Sequence, residues 1–245
     1  MSDIKIVFDD ENIIIVDKPA GILVHPTLAN EENTLTKWLG DKYPEIIKLN
    51  WPDKTRPGVV HRLDKDTSGL IVMAKNPENL ANLQAQFKNH KTNKIYEALV
   101  LGKIKSAGKI ETEITRGEAG TQKVIESSYS FDTRASRNAI TLYKPIKYYH
   151  YKNNDLTLVE VELQTGRMHQ IRVHLKYLGF PIIGDPLYNI KPSRNLSKEL
   201  NLNRQFLHAK HLEITHPETG NRMSFDSPLP NDLTEILNKM KENNE

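Results

Sequence analysis

The sequence predicts an α+β fold with a mixed, mainly antiparallel sheet. Three observations carry this. Short β-branched runs recur along the whole chain, helical periodicity shows at only a few places between them, and the two never settle into strand–helix–strand alternation. The 245 residues, 38% hydrophobic, read as a single domain, 1–245, with enough chain for a sizeable core. No apolar run reaches membrane-spanning length. The start, Met1 to Ile6, lacks the basic and apolar regions of a signal peptide. With no cysteine, disulfides, thiolate metal ligands and a cysteine nucleophile are excluded. A cytoplasmic protein without a membrane partner is expected. The net charge of +3 and pI near 8.8 permit a nucleic-acid partner without demanding one.

In order, Ile4 to Phe8 reads as a strand, Asp9 to Asn12 as a turn, and Ile13 to Val16 as a buried strand. Asp17-Lys18-Pro19-Ala20-Gly21 is turn chemistry. The short run Ile22 to His25 stops at Pro26, with His25 read as a turn residue bonding a backbone group. A helical segment near Leu35 to Leu39 leads into an aperiodic loop through Gly58. Val59-Val60, the polar stretch 61–69 and Leu70 to Ala74 then read as strand, loop, strand. Asn76 caps a helix with Pro77 at its first position and Leu80, Leu83 and Phe87 on one face. Lys88, Lys91 and Lys94 lie at its end and beyond. They suit either a solvated face complementing the helix dipole or contacts to phosphate. Lys94 to Gly102 is a strand with Tyr96, Ala98 and Val100 on one face.

A meander follows, with strands at Lys109 to Thr115, Val124 to Phe131 and Ala139 to Tyr149. Thr157 to Leu163 is a strand, and Gln164-Thr165-Gly166 turns it. Arg167 to Leu178 reads as a helix whose apolar face is Met168, Ile171, Leu175 and Leu178, with His169, Arg172 and Lys176 on another face. Ile182 to Pro186 is a short strand and turn, and 190–204 is a polar insertion. A hairpin pairs His211 to Thr215 with Arg222 to Phe225. A last helix starts with a capping-box-like Asp232 and Glu235, and the polar end from Lys239 to Glu245 reads as disordered.

The densest chemistry is His61-Arg62-Leu63-Asp64-Lys65-Asp66-Thr67-Ser68-Gly69. Asp64-x-Asp66-x-Ser68-Gly69 copies the start of a calcium loop, but its twelfth position is Lys75 instead of a bidentate Glu. The kinase order His-Arg-Asp-Leu is not kept, and no Gly-rich phosphate loop occurs. His169 and His174, five apart, do not share a helical face as a zinc pair must. No metal site is predicted. On these residues alone, Asp64 is equally a turn-capping carboxylate or a chemical one.

The segment 61–69 resembles the signature of the RluA-type family of pseudouridine synthases. Supporting motifs occur in the family's order: Glu11 to Gly21, Lys94-Ile95-Tyr96, Leu163 to His174, Gly184-Asp185-Pro186-Leu187-Tyr188, Leu207-His208-Ala209 and His216 to Gly220. Asp17 and Met168 depart from the usual Asn and Thr or Ser. The resemblance implies the pseudouridine synthase fold, with a central sheet flanked by helices and loops and an active-site cleft across it. It implies isomerisation of uridine in rRNA (most of all large-subunit) or tRNA, with no metal or organic cofactor. It makes Asp64 the catalytic carboxylate, Arg172 its partner, and Tyr96 the residue stacked on the target base. Arg62 supports the flipped nucleotide or fills its vacated place, and Leu207 is a candidate pocket floor. Arg167, His169 and Gln170 are expected to scaffold the loop.

The chain starts directly in catalytic-domain motifs, so no N-terminal S4 module is expected. RNA grip is assigned to Lys88, Lys91 and Lys94 and to the insertion's Lys191, Arg194, Lys198 and Arg204. A monomer without an obligate protein partner is expected. Arg172→Ala is expected to lose activity with a smaller effect on stability. Two other classes are weighed. A non-catalytic RNA-binding factor would not need Asp64, Tyr96 and Arg172 intact. A glycoside hydrolase would need a second carboxylate, for which Asp66 is available by spacing.

Overall fold

The computed structural model describes residues 4–27, 31–118, 120–125 and 136–243. In chain order the elements are β1 (Lys5–Asp9), β2 (Ile13–Lys18), α1 (Leu35–Lys42), α2 (Pro44–Ile47), β3 (Ser68–Ala74), α3 (Pro77–Lys88), β4 (Asn93–Leu101), β5 (Gly108–Arg116) and β6 (Gln122–Ile125). Then follow β7 (Arg137–Tyr151), β8 (Asn154–Leu163), α4 (Gln170–Tyr177), α5 (Lys191–Glu199), β9 (Leu207–Thr215), β10 (Arg222–Asp226), α6 (Asn231–Asn238) and β11 (Lys241–Asn243). The chain divides into two compact units, Met1–Asn93 with Ala209–Pro228, and Lys94–His208 with Leu229–Glu245.

In the first unit β2 pairs antiparallel with β1 and β3, and the 209–215 part of β9 pairs with β10. Ile13 to Val16 and all of β3 are buried, as their unbroken apolar runs require. Helix α3 begins as its sequence predicts. The Asn76 side chain accepts the Asn79 N–H at 2.8 Å, and Pro77 stands where no N–H is needed. Gln86 fastens this helix to the end of β9, donating to the Thr215 carbonyl at 2.7 Å and accepting its N–H at 2.9 Å. The expected strand at Val59-Val60 is absent. Val59 makes only an isolated bridge to Met73. The short run Ile22 to His25 makes one bridge, from Leu23 to Thr34.

In the second unit the sheet runs β4-β8-β7-β5-β6, with β11 beside β7. Pro145 sits inside β7 because the register slips between Pro145 and Lys147, a bulge that removes the need for its missing N–H. Residues 126–131 of the strand expected at Val124 to Phe131 lie outside the described residues. Four expectations are corrected. The end read as disordered contributes β11. The insertion holds α5, missed because only Ser193 and Leu196 turn inward, too narrow a stripe for a clear period. Helix α6 has no side-chain cap, because Pro230 stands at the N-cap and Asp232 lies within the first turn, where Arg204 donates to it at 2.7 and 3.0 Å. Helix α4 starts at Gln170 and not Arg167, because His169 has φ of 55°, which an α-helix cannot continue through.

Helix α4 is tied to the sheet by buried His174, whose Nε2 lies 3.0 Å from Thr112 Oγ1 and Nδ1 2.9 Å from Thr141 Oγ1. Burial holds its pKa down at about 4, against an ordinary value of 6.5. Below 6.5 the unfolded chain takes this proton while the folded one refuses it until about 4. Stability from this group is therefore intact above 6.5 and is lost as pH falls through that window, by up to roughly 3 kcal/mol. Urea unfolding at pH 7 and pH 5 should show a smaller acid loss in His174→Gln than in the wild type. Equal losses would assign the effect to other groups.

Candidate active site

In the first unit, residues 58–67 form one loop that starts at Gly58 and leads into β3, whose second residue is Gly69. Gly58 has φ of +70°, and a Cβ there would stand 2.4 Å from the Ala74 carbonyl oxygen. Gly69 has φ of +113°, and a Cβ would stand 2.2 Å from that of Ala209. The ring of His61 stacks on Phe87 of α3 at 4.4 Å, and its Nε2 accepts the Val72 N–H at 3.3 Å. Leu63 is buried, Arg62 exposed and Asp64 half-buried. The Asp64 carbonyl accepts the Thr67 N–H at 3.1 Å, closing a turn that presents its side chain.

The residue missed from sequence is Lys18. It is 0% exposed, and its ammonium donates to the carbonyls of Pro19 at 2.9 Å, Ile22 at 2.9 Å and Lys65 at 3.0 Å. The Gly21 N–H also reaches the Lys65 carbonyl, at 3.0 Å. The backbone next to Asp64 is thus pinned by a buried charge from the 17–22 turn. Lys18→Met keeps most of the buried stem and removes the donor. It should cost roughly 2–4 kcal/mol in urea unfolding and speed hydrogen exchange at the Gly21 amide. Unchanged exchange there would mean that Lys18 does not hold the loop.

In the second unit, Tyr96 is buried on β4, opposite Val161 of β8. Arg172 was expected on a polar helix face with Lys176, but it is only 4% exposed. Its Nε donates to Asp185 Oδ2 at 2.7 Å and its Nη2 to Oδ1 at 2.9 Å, and the Asp185 side chain is fully buried. Asp185 Oδ1 also accepts the N–H groups of Leu187 and Tyr188 at 2.8 and 2.9 Å. This carboxylate thus fixes a loop and the plane of the guanidinium at once. The guanidinium lies 5.1 Å from the centroid of the Tyr188 ring. The Tyr188 hydroxyl accepts the Gln122 N–H at 2.5 Å and lies 3.0 Å from His169 Nδ1. Gln170 takes the scaffolding part expected of it: its Oε1 accepts from Thr165 Oγ1 and the Arg167 N–H, and its Nε2 donates to the Ile140 carbonyl.

The motif containing Asp185 is visible in sequence. Its bidentate bond to a helix thirteen residues upstream is not. Among the cations assigned to RNA grip, Lys88, Lys91, Lys191, Arg194 and Lys198 are exposed. Lys94 is buried on β4, where desolvation lowers its pKa, so it does not face phosphate as a surface lysine does. Arg204 is buried and taken by Asp232. Leu207 is buried at the start of β9. His25 is not the turn-bonding residue expected. Its ring is 3% exposed and its buried Nδ1 has no hydrogen-bond partner. Burial first, and then the positive charges of Arg56 and Arg62, push its pKa down. Among the described residues no three acidic or imidazole groups converge as a metal site requires. No described helix is long and apolar enough to cross a membrane.

Comparison with known proteins adds to this geometry. A family model described as RNA pseudouridylate synthase matches residues 12–177, a stretch that includes Asp64, Tyr96 and Arg172. The ribosomal large subunit pseudouridine synthase D of Pseudomonas aeruginosa is 39% identical over 250 residues, covering 99% of this chain and 73% of that protein. The protein of the same name from Zymomonas mobilis is 41% identical over 240 residues, covering 97% and 72%. The solved structure of human RNA pseudouridylate synthase domain containing 1 has the same fold. Its TM-score is 0.75 at 24% identity, over 98% of this chain and 89% of that one.

Proposed function

The chain belongs to the RNA pseudouridylate synthase family, and on that premise we propose that Asp64 is its catalytic carboxylate, with Tyr96 and Arg172 serving the same reaction. The protein is an isomerase that converts uridine in RNA to pseudouridine. The N1–C1′ bond breaks, the uracil turns, and a C5–C1′ bond forms. The proton on C5 leaves and N1 ends protonated, so no electrons are gained or lost and no redox partner is needed.

The observation that carries the assignment of Asp64 is its place: half-exposed on a loop whose backbone is pinned by Lys18 and whose neighbour His61 is clamped to Phe87 and Val72. The rigid frame supplies position. Attack on the sugar, attack on the base and abstraction of a sugar proton would all use a carboxylate oxygen held at that place. Arg172 keeps negative charge favourable once the bound base excludes water. Tyr96 offers an aromatic face to the extruded uracil. Arg62, exposed beside Asp64, offsets part of the few kcal/mol that extrusion costs.

The substrate is large-subunit rRNA, since two relatives matched along nearly the whole chain are named for the ribosomal large subunit. The protein works in the cytoplasm as a monomer without an obligate protein partner. The test is to incubate purified protein with in vitro large-subunit rRNA and, separately, with a tRNA pool, and to map pseudouridine in each. Pseudouridine is expected at discrete positions in the rRNA. Formation in tRNA alone would overturn the substrate assignment.

A further inference from the structure

We propose that the cleft between α5 and the 184–189 loop is a second RNA-binding subsite, holding one nucleotide of the substrate strand other than the target uridine. The proposal rests on the function above and deepens it. The cleft has a volume of about 510 Å³, within the roughly 300–1,000 Å³ of small-ligand sites. Its charged wall is basic. Arg194 and Lys198 are four residues apart on α5, so they share a helical face, and both are exposed and line the cleft.

Arg194 is preset. Its Nε donates to Asn189 Oδ1 at 3.0 Å, while the Asn189 amide donates to the carbonyls of Asp185 and Pro186 at 3.0 and 2.9 Å. That chain of bonds fixes the guanidinium plane and leaves its Nη edge, like the Lys198 ammonium, without a bond to any described residue. The one carboxylate lining the cleft is Asp185, already satisfied by the Arg172 fork and two backbone N–H groups. An occupant therefore meets two uncompensated cations, the chemistry of a phosphodiester.

The rest of the wall suits a nucleoside. Leu187 is an exposed leucine at the loop tip, and Leu202 floors the cleft. Beside them the exposed Asn203 amide, bonded to no described residue, offers a donor and an acceptor together. Proteins read single-stranded RNA by stacking splayed bases on aromatic rings or arginine planes and hydrogen-bonding their edges; here the Arg194 guanidinium offers the plane, the two leucines an apolar floor and Asn203 the edge contact.

The experiment measures binding of in vitro large-subunit rRNA across a series of salt concentrations, with pseudouridine formation followed on the same RNA. Wild type is compared with Arg194→Ala/Lys198→Ala and with Asn203→Ala. The double variant should bind about tenfold more weakly, with a log–log salt slope shallower by about 0.7 for one lost single-strand phosphate contact. The loss should fall on KM more than on kcat. Asn203→Ala should weaken binding less and leave the slope unchanged. An active wild type whose double variant keeps both affinity and slope overturns the cleft assignment alone. A folded wild type that makes no pseudouridine in this RNA overturns the substrate reading, and the cleft with it. Uridine 5′-monophosphate bound in the cleft, with RNA affinity unchanged in the double variant, would make it a free-nucleotide site.

Discussion

Asp64→Asn is expected to lower pseudouridine formation by at least about 10³-fold, in the range found when a catalytic acid, base or nucleophile is removed, while RNA affinity stays close to wild type. The change is isosteric, and Asn suits the 64–67 turn as well as Asp does. The turn is made by the Asp64 carbonyl, which the substitution keeps. Charge is therefore lost without the frame. A group needed only in the transition state lowers kcat and kcat/KM together, so single-turnover assays at saturating RNA are the right measurement. The contrast is Asp66→Asn. Equal loss in both variants would point to paired carboxylates, as in a glycoside hydrolase. Normal pseudouridine formation by Asp64→Asn would remove Asp64 from the chemistry.

Arg172→Ala is expected to destabilise the fold by about 3–5 kcal/mol, because it leaves the buried Asp185 charge without its cation, and Asp185→Ala to destabilise it as well, because it releases the guanidinium fork and the 187–188 backbone together. This differs from the expectation from sequence, in which Arg172→Ala lost activity with a smaller effect on stability. The reason is the geometry. The guanidinium holds Asp185 through two bonds, and Asp185 holds the 187–188 backbone through two more. Alanine at 172 therefore confounds folding with chemistry. A cleaner pair is Arg172→Lys, which keeps the charge but cannot form the fork, with Arg172→Met/Asp185→Leu, which removes both charges and fills the space. The double variant should recover much of the stability lost in either alanine variant and remain inactive. Urea unfolding and pseudouridine assays on the same preparations decide the matter. Activity restored along with stability would make Arg172 a scaffold residue only.

Local pattern made several elements legible. Asn76 with Pro77 set the start of α3, and the unbroken runs Ile13 to Val16 and Leu70 to Ala74 marked buried strands. Where the signal lay in dihedral angles or in distant partners, the sequence misled. Nothing in Arg167-Met168-His169 announces that His169 takes φ of 55° and delays α4 by three residues. A pattern of helical faces grouped Arg172 with Lys176 and could not show Asp185 as its partner, because periodicity records only which residues are polar. It cannot tell a solvated arginine from one neutralised by a carboxylate that a later loop delivers. Lys94 and Arg204 failed as surface cations for the same reason.

By itself the sequence determined the α+β class, the loop that carries Asp64, and the kinship that names the reaction, since each is written in residue types at short spacing. The tertiary structure alone decided how that loop is held and which charges are at liberty to meet RNA. Lys18 reaches Lys65 across forty-seven residues, and α5 and the 184–189 loop together make a basic cleft that neither segment shows alone. A charge is neutral scaffold or available ligand according to what packs beside it, and only the folded chain supplies those neighbours.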